Sequence, residues 1–348
     1  LNKYNLIMKK LIILFITLSN LSFAQDIHFS QYQENPLLVN PANAGLNKDL
    51  RAIINYRNQW KSVGAPFQTM AMSFDMITSK DPSKFAAIGV GVNLFNDKAG
   101  DGNLSLTQGN LTVSSVLRLD NNNKLSIGIQ GGFGQRSLDY SSLRWGNQYS
   151  GSYNSSISSN ETFFETSYSF MDAGAGIAWA YREGSSYMTA NNGVKANVGI
   201  SYFHFAFPRA TFSAENNEKL NSRMTFHANM ELGKPNTDLT FIPSVLINLQ
   251  NKQLEAIIGS DFRYLLQEGS KHTGFVQESA ITLGAHYRYA DALIAKLMFE
   301  YAYYSIGFSY DINVSELSSA SKSRGGFELA LKFVTPSPFK SGGTSKFR

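Results

Sequence analysis

The chain has 348 residues, a formal net charge of +5 and no cysteine. The lack of cysteine excludes a disulfide framework, thiolate metal ligands and a cysteine nucleophile. Aromatic residues make up 13% of the chain and charged residues only 16%. This balance is typical of transmembrane β-barrels, in which an apolar outer face accompanies a polar lumen. The modest positive charge does not indicate a nucleic-acid partner.

The first 24 residues have the pattern of upstream residues followed by a secretory signal peptide. Met8 is the expected start, a basic region begins at Lys9, the stretch 11–18 is apolar, and Ala24 ends a small-x-small cleavage site. The apolar run is too short to span a bilayer as a helix. The competing interpretation is a buried N-terminal helix. We expect export, with a mature chain that starts after Ala24.

The segment 25–49 contains two Asn-Pro pairs five residues apart. Proline fixes its own φ, lacks an amide donor and restricts the residue before it, so this segment should follow an irregular and fairly rigid path. We predict that it plugs the structure that follows or meets a partner on the periplasmic side. The residues assigned to this role are Asn35, Pro36, Asn40, Pro41, Ala42 and Gly45.

Period-two alternation runs from residue 50 to residue 334. In 88–94, for example, aliphatic side chains share one face and Gly and Asn share the other. Lipid outside and water inside require this arrangement. We predict an all-β fold, a transmembrane antiparallel β-barrel of about 14 strands, followed by a tail at 335–348. The predicted strands are 50–60, 66–78, 85–97, 103–119, 123–138, 168–183, 195–206, 224–234, 238–250, 253–265, 278–290, 292–300, 302–312 and 325–334.

Connection lengths predict a bacterial outer-membrane barrel with a periplasmic N-terminus and with its longer connections outward. The turns near Asn251 and Asp291 are short for this topology, and 184–194 and 266–277 are long. Either the strand register shifts in the last third or the outer rim is low there. A soluble β-sandwich is the competing fold. Runs of 11 residues or more, and aromatic clusters at strand ends, favour the membrane barrel.

No catalytic constellation emerges from the sequence. The five histidines are scattered, with no pair at metal-ligand spacing, so we predict no enzyme, no metal and no cofactor. Charged residues of inward parity are expected to form a mutually neutralising network in the lumen, or alternatively to grip a substrate segment. This network comprises Arg51, Asp75, Asp261, Arg263, Arg288 and Glu300.

The end of the first predicted strand carries Arg57, Gln59 and Trp60. Trp60 has two interpretations: a rim aromatic at the membrane interface, or a clamp for the Asn-Pro segment or a partner. The glycines in 131–134 lie in strand alternation and not in a strand-to-helix phosphate loop. We expect them to relieve crowding inside the barrel.

The N-terminal part of the sequence has a long and specific series of motifs, namely Gln31-Tyr32, Asn35-Pro36-Leu37, Asn40-Pro41-Ala42, Ala44-Gly45, Tyr56-Arg57-Asn58-Gln59-Trp60 and Gly64-Ala65-Pro66-Phe67-Gln68-Thr69. Together with a C-terminal part, these motifs resemble the PorP/SprF family of type IX secretion outer-membrane proteins. The C-terminal part is looser and covers 283–288, 307–311 and 326–329. The family often has Gly-Ser-His-Glu in its last strand, where this chain has Gly325-Gly326-Phe327-Glu328. The stretch 140–165 shows no family pattern.

The resemblance implies a barrel that works with the type IX export and gliding machinery. The implied partners are a secreted protein with a C-terminal sorting domain, which the barrel helps to export or anchor at the cell surface, and periplasmic and outer-membrane secretion components. Outer-membrane lipid is the expected surroundings. Two alternatives remain: a plugged transporter for small hydrophobic or nutrient molecules, and a purely structural anchor for periplasmic rings.

Overall fold

The computed structural model describes residues 26–335 except 61–64, 79–84, 155, 162–164, 184–192, 214–216, 234–236, 269–276 and 317. The predicted signal peptide and the predicted tail beyond Thr335 lie outside the described residues. Among the described residues, no helix is long and apolar enough to cross a membrane.

Fourteen antiparallel strands close into one barrel, which confirms the predicted fold class. Each strand pairs with its sequence neighbours, and β1 pairs with β14 from Leu50↔Thr335 to Gln59↔Gly326. The strands are β1 Leu50–Gln59, β2 Phe67–Ile77, β3 Ala86–Ala99, β4 Leu104–Arg118, β5 Asn123–Ser137, β6 Ser167–Glu183, β7 Val194–Phe203, β8 Arg223–Gly233, β9 Leu239–Gln250, β10 Gln253–Gln267, β11 Ser279–Arg288, β12 Ala292–Tyr301, β13 Tyr304–Asn313 and β14 Arg324–Thr335.

The alternation of side chains sets the two faces of the wall. In β4, Leu111 and Val113 are exposed on the outside, whereas Asn110, Thr112 and Ser114 are buried inside. Closure pairs every strand with two neighbours, as a hydrocarbon environment requires for backbone amides and carbonyls. The largest boundary difference is in β7, which ends at Phe203 and not at 206. The backbone of His204 has a φ of 61° and leaves the extended path there.

The two ends of the barrel differ. We call the end with the connections 138–166 and 204–222 the long-loop end, and the end with the turns 119–122 and 302–303 the short-turn end. β1 begins and β14 ends at the short-turn end. The rim at the long-loop end is high around β5 and β6, and low where Gln250 pairs with Gln253 and Arg288 with Ala292. The short turns near Asn251 and Asp291 therefore reflect a low rim.

Short helical turns, not strands, make up the N-terminal segment. They comprise the 3-10 turns Tyr32–Glu34 and Pro41–Asn43 and the short α-helix Pro36–Val39. Further short helical turns are Tyr140–Ser142, Gly146–Gln148 and Ser318–Ser321 in the loops. The N-terminal segment is buried and hydrogen-bonded to strands on opposite sides of the barrel. It therefore lies within the lumen, and we call residues 26–49 the plug.

Candidate functional site

The Asn-Pro pairs shape the plug by starting its helical turns. Pro36 and Pro41 each occupy the first helical position, where the missing amide donor costs nothing and the fixed φ suits a helix. The Asn40 side chain caps the second turn by accepting a hydrogen bond from the Ala42 amide at 2.9 Å. The plug is therefore a compact folded segment inside the lumen.

A group of buried charges holds the first half of the plug at Ser30. The Ser30 hydroxyl donates to Asp311 at 2.7 Å and accepts from Arg57 at 3.0 Å and from Arg288. A serine hydroxyl offers one donor and two acceptor sites, so all its capacity is used. The Glu328 carboxylate accepts from the Ser30 and Gln31 amides at 2.6 and 2.8 Å. We call Arg57, Arg288, Asp311 and Glu328 the clamp.

The four clamp residues also pair with one another. Arg57 contacts both Glu328 and Asp311, the latter at 3.2 Å, and Arg288 contacts Asp311 at 3.0 Å. Their side chains are at most 4% exposed. Removing one partner from a buried ion pair costs roughly 3–5 kcal/mol because the other charge is left uncompensated. The clamp thus attaches the plug to strands β1, β11, β13 and β14.

Further polar contacts continue this attachment towards the short-turn end. Lys332 of β14 pairs with Glu34 at 2.8 Å, and Lys296 of β12 donates to the Gln33 side chain at 2.8 Å. Asn55 of β1 donates to the Asn35 side chain at 2.8 Å. The first half of the plug is therefore held largely through charged and amide groups of the barrel wall.

Mainly neutral contacts hold the second half of the plug, in addition to Arg223 and Arg51, which donate to the Leu38 and Asn43 carbonyls. The Asn40 side-chain amide donates to the backbone carbonyls of Ile177 and Ile200 at 3.1 and 3.2 Å and lies 3.2 Å from His227 Nε2. Ser201 donates to the Val39 carbonyl at 2.6 Å. On the opposite wall, Ser114 donates to the Ala44 carbonyl at 2.7 Å.

Glycines on the lumen face of the wall make room for this half. A Cβ atom at Gly128 would lie 2.5 Å from the Ala42 nitrogen and from the Pro41 carbonyl carbon. The same addition at Gly89 would meet the Ala44 oxygen at 2.1 Å, and at Gly176 the Asn40 side chain at 2.1 Å. Side chains at these positions would occupy the volume of the plug. We call Gly89, Gly91, Gly128, Gly176 and Gly199 the glycine seat.

The remaining residues of the predicted lumen network lie in three groups. Arg51 pairs with Asp75 at 2.8 Å, and Asp75 accepts the Gly45 amide at 3.0 Å, which fixes the end of the plug. Asp261 pairs with Lys296 at 3.1 Å. Arg263 donates to both Glu300 and Glu278 at 2.7 Å, so its partners belong to the barrel wall and not to the plug.

The plug begins at the long-loop end in a group of charged residues, which we call the latch. It consists of Asp26, Asp172, His204 and Arg223. His204 lies between the carboxylates of Asp26, at 2.5 Å, and Asp172, at 2.8 Å, and Arg223 contacts Asp26 at 3.0 Å. Burial alone would lower the pKa of His204, but the two carboxylates outweigh it and raise that pKa to about 9. Burial opposes ionisation of Asp26, yet the charges of His204 and Arg223 lower its pKa below the ordinary value. Both groups are therefore charged at neutral pH.

A cavity opens at each end of the plug, and the one at the short-turn end extends alongside Gln33 and Glu34. The mouth cavity, at the long-loop end, has about 650 Å³ and is lined by Ile27, His28, Trp60, Phe67 and Arg136, among others. The vestibule, at the short-turn end, has about 660 Å³ and includes Lys48, Arg182, Lys195, Glu231 and Lys332 in its lining. The plug separates an amphipathic surface at one end from a strongly charged one at the other.

Trp60 lies at the rim of the mouth cavity. Its backbone has a φ of 58°, an uncommon value for a bulky residue, and its amide donates to the Gly325 carbonyl at 2.9 Å. Its ring packs edge-on against Phe67 with centroids 5.1 Å apart. Gln59, in contrast, accepts from Arg57 at 3.2 Å and supports the clamp. Trp60 therefore lies at the rim of the mouth cavity, whereas Gln59 lies beside Arg57 of the clamp.

Several residues of the site escaped the sequence analysis, namely Asp26, Ser30, Asp172, Ser201, His204, Arg223 and Asp311. The alternation of Gly89 and Gly91 with aliphatic residues was visible, but nothing in it indicated what the glycines contact. Asp311 was not assigned to the lumen network, although parity had placed Asp261 there. Among the described residues, no group of three or more His, Asp or Glu is arranged to hold a metal ion.

The fold and the filled lumen define a class: an outer-membrane β-barrel of 14 strands that contains its own N-terminal segment. The family is given by the sequence. The chain belongs to the family described as type IX secretion system membrane protein PorP/SprF, whose sequence profile matches residues 21–333. Neither this family nor this fold is of an enzymatic kind.

Solved structures with a similar fold include several barrels. CdiB from Escherichia coli has 8% identity and a TM-score of 0.45, over 82% of this chain and 63% of that chain, so this chain spans less than two thirds of it. The TodX deltaS2S3 mutant monoaromatic hydrocarbon channel has 8% identity and a TM-score of 0.44, over 85% and 92%. A Pseudomonas aeruginosa FadL homologue has 10% identity and a TM-score of 0.42, over 86% and 93%. A search among curated proteins finds no match.

Proposed function

We propose that this protein is a non-enzymatic, self-plugged docking barrel of the type IX secretion and gliding apparatus. It holds a cognate exported protein with a C-terminal sorting domain at the cell surface and contacts secretion components in the periplasm. The observation that carries this proposal is the plug itself. A lumen filled by a segment that is bonded to opposite walls favours docking on the ends of the barrel over passage through it.

The proposed orientation puts the long-loop end outside and the short-turn end in the periplasm. Bacterial barrels have long extracellular loops and short periplasmic turns, and 138–166 and 204–222 are the longest connections here. The mouth cavity then faces the exported partner, and its aromatic and charged lining suits a polypeptide surface. The charged vestibule faces the periplasmic machinery.

Affinity capture of the tagged barrel from native outer membrane tests the proposal. The wild-type barrel should recover a sorting-domain protein and at least one secretion component. Trp60→Ala, in the mouth cavity, should lose the exported protein and keep the machinery. Lys48→Ala, in the vestibule, should show the reverse. Recovery of neither kind of partner by the wild-type barrel would overturn the proposal, and recovery of ring components alone would indicate a structural anchor.

A plugged transporter for small hydrophobic or nutrient molecules is the second candidate. The two cavities favour it, because each is large enough for a small solute at one side of the plug. Uptake measurements distinguish the candidates. Uptake of a small solute by the wild-type barrel would support the transporter, whereas the docking proposal expects no uptake.

A further inference from the structure

The outer face of the barrel changes from apolar to polar near the long-loop end of β3 to β6. Leu94, Phe133 and Met171 face outward, are exposed, and belong to one row across these strands. The next two rows towards the long-loop end are polar. They consist of Asn96, Thr107, Gln135 and Ser169, and of Lys98, Ser105, Ser137 and Ser167. Because hydrocarbon requires an apolar surface, the lipid headgroups begin beyond the apolar row.

The connection 138–166 is fixed beside these polar rows. The Asp139 amide donates to the Gly102 carbonyl, in the turn between β3 and β4, at 2.8 Å. A Cβ atom at Gly102 would lie 2.9 Å from the Leu138 side chain and 3.2 Å from that of Leu143. The start of the connection therefore packs closely on the neighbouring turn.

A cavity of about 1540 Å³ lies between this connection and the outward polar rows, and we call it the side cavity. The barrel wall contributes Lys98, Ser105, Gln135, Ser137 and Ser167 to its lining, and the connection contributes Tyr140, Arg144, Trp145, Gln148 and Tyr153, among others. Sites for drug-sized ligands have roughly 300–1,000 Å³, so the side cavity has room for a larger polar group.

Two cations of the side cavity, Lys98 and Arg144, are exposed and have no ion pair among the described residues. The Arg144 guanidinium lies over the Tyr153 ring, 5.4 Å from its centroid, which leaves the N–H groups at its edge for a ligand. The carboxylate of Asp139, also in the lining, accepts from the amide and the hydroxyl of Ser141 at 3.0 and 2.6 Å. The cavity thus offers two positive charges beside aromatic rings and hydroxyl groups.

These groups match the chemistry of a phosphorylated sugar. Arginine and lysine bind phosphate through charge-assisted hydrogen bonds. Serine hydroxyls and glutamine amides can both donate to and accept from sugar hydroxyls. Aromatic side chains such as Trp145 and Tyr140 supply apolar surface for the face of a sugar ring.

We propose that the side cavity binds the phosphorylated saccharide headgroup of lipopolysaccharide, the glycolipid of the outer leaflet, with Lys98 and Arg144 on its phosphates. The position of the cavity favours a lipid over a free phosphate. Acyl chains that lie on Leu94, Phe133 and Met171 bring the attached headgroup to the polar rows. The inference uses the orientation proposed above but not the docking of an exported protein.

Native mass spectrometry of the purified barrel in detergent, with lipid A added, measures this binding. The wild-type barrel should retain lipid A. Lys98→Gln and Arg144→Gln should each weaken the binding about tenfold, because each removes one charge-assisted contact. Lys252→Gln is the matched control, since Lys252 is an exposed lysine at the long-loop end between β9 and β10, outside the cavity lining. Equal binding by the wild type and both cavity variants would overturn the proposal.

Three further probes distinguish the sources of the ligand. Dephosphorylated lipid A should bind more weakly than lipid A, and neither phosphatidylglycerol nor inorganic phosphate should displace lipid A. Displacement by phosphatidylglycerol would indicate a general headgroup interface, and displacement by inorganic phosphate would indicate a site for a free anion. Either result would overturn the assignment to a glycolipid.

Maleimide labelling tests the orientation separately. The sequence contains no cysteine, so single cysteines can be introduced one at a time. Ser150→Cys in 138–166 and Asn121→Cys in 119–122 lie at opposite ends of the barrel. A membrane-impermeant maleimide should label Ser150→Cys in intact cells, and Asn121→Cys only after the outer membrane is permeabilised. The reverse pattern would overturn the orientation and the glycolipid assignment together, whereas loss of lipid A binding alone overturns only the assignment.

The same labelling checks that the variants act at the side cavity and not through the plug. Ile27→Cys lies in the lining of the mouth cavity, so its labelling rate reports on the start of the plug. This rate, relative to that of Ser150→Cys, should be the same with and without Lys98→Gln, because Lys98 lies on the outside of the wall. A changed rate would show that the substitution disturbs the lumen, and would overturn the assignment of its effect to the side cavity.

Discussion

The two halves of the plug are attached in different ways. Residues 26–35 are held by charges, with Ser30 at the centre of the clamp and Asp26 in the latch. Residues 36–46 are held mainly by shape and neutral hydrogen bonds, with Asn40 and Ala44 against the glycine seat, and Asp75 is a charged partner at the end of this half. The strength of an attachment by ion pairs depends on pH and on the charges of a partner. An attachment by close packing weakens only if the barrel wall moves. The difference suggests that the first half is the part that a partner can release.

Removing one clamp arginine should have the largest effect. Arg57→Met leaves Asp311 and Glu328 buried with less compensation, at a cost of roughly 3–5 kcal/mol. We expect the first half of the plug to detach, which labelling at Ile27→Cys measures as an increased rate. Arg263→Met is the matched control, because it removes a lumen arginine whose partners are wall residues. Equal labelling rates in both variants would show that the clamp does not hold the plug.

Filling the glycine seat should come next. Gly128→Val introduces atoms where Pro41 and Ala42 lie, and overpacking of this kind costs about 1–3 kcal/mol. The control is Gly131→Val in the same strand, where an added Cβ meets nothing within 4 Å. Thermal unfolding, followed by heat-modifiable electrophoretic migration, should show a lower midpoint for Gly128→Val only. A lower midpoint for Gly131→Val alone would contradict the proposed fit.

The latch should give a smaller effect that depends on pH. The pKa of His204 is raised from 6.5 to about 9, so its contribution is fully present below pH 6.5 and is lost as the pH rises through 9. The charged groups that face His204 are Asp26, Asp172 and Arg223. Labelling at Ile27→Cys, relative to Ser150→Cys, should accelerate in that alkaline range. His204→Gln should remove this pH dependence, and an unchanged profile in that variant would exclude the latch.

Much of the barrel could be predicted from sequence, because lipid outside and water inside impose a strict period of two on each strand. The misplaced end of β7 is instructive. His204 lies among aromatic residues, so the sequence predicts that the strand continues through it. In the structure its side chain contacts Asp26 and Asp172, and its backbone is not extended. A contact between residues so distant in sequence leaves no local pattern.

The site was predictable only in part for the same reason. Parity placed Arg288 inward, but it could not show that Arg288 and Arg57 converge on Ser30, because that depends on the path of the plug. The two prolines indicated rigidity, and the structure shows what the rigidity does: each proline starts a helical turn that fits the lumen. The glycines that make room for the plug are those of the glycine seat and not those of 131–134, to which the sequence analysis gave the role of relieving crowding.

Conductance of the purified barrel in planar lipid bilayers tests the central claim most directly. The wild-type protein is compared with a variant that lacks residues 26–45, after heat-modifiable migration has shown that both are folded. We predict that the wild-type barrel is closed and that the deletion opens a steady conductance. Equal conductance of the two proteins would contradict the account, because the plug would then not close the lumen.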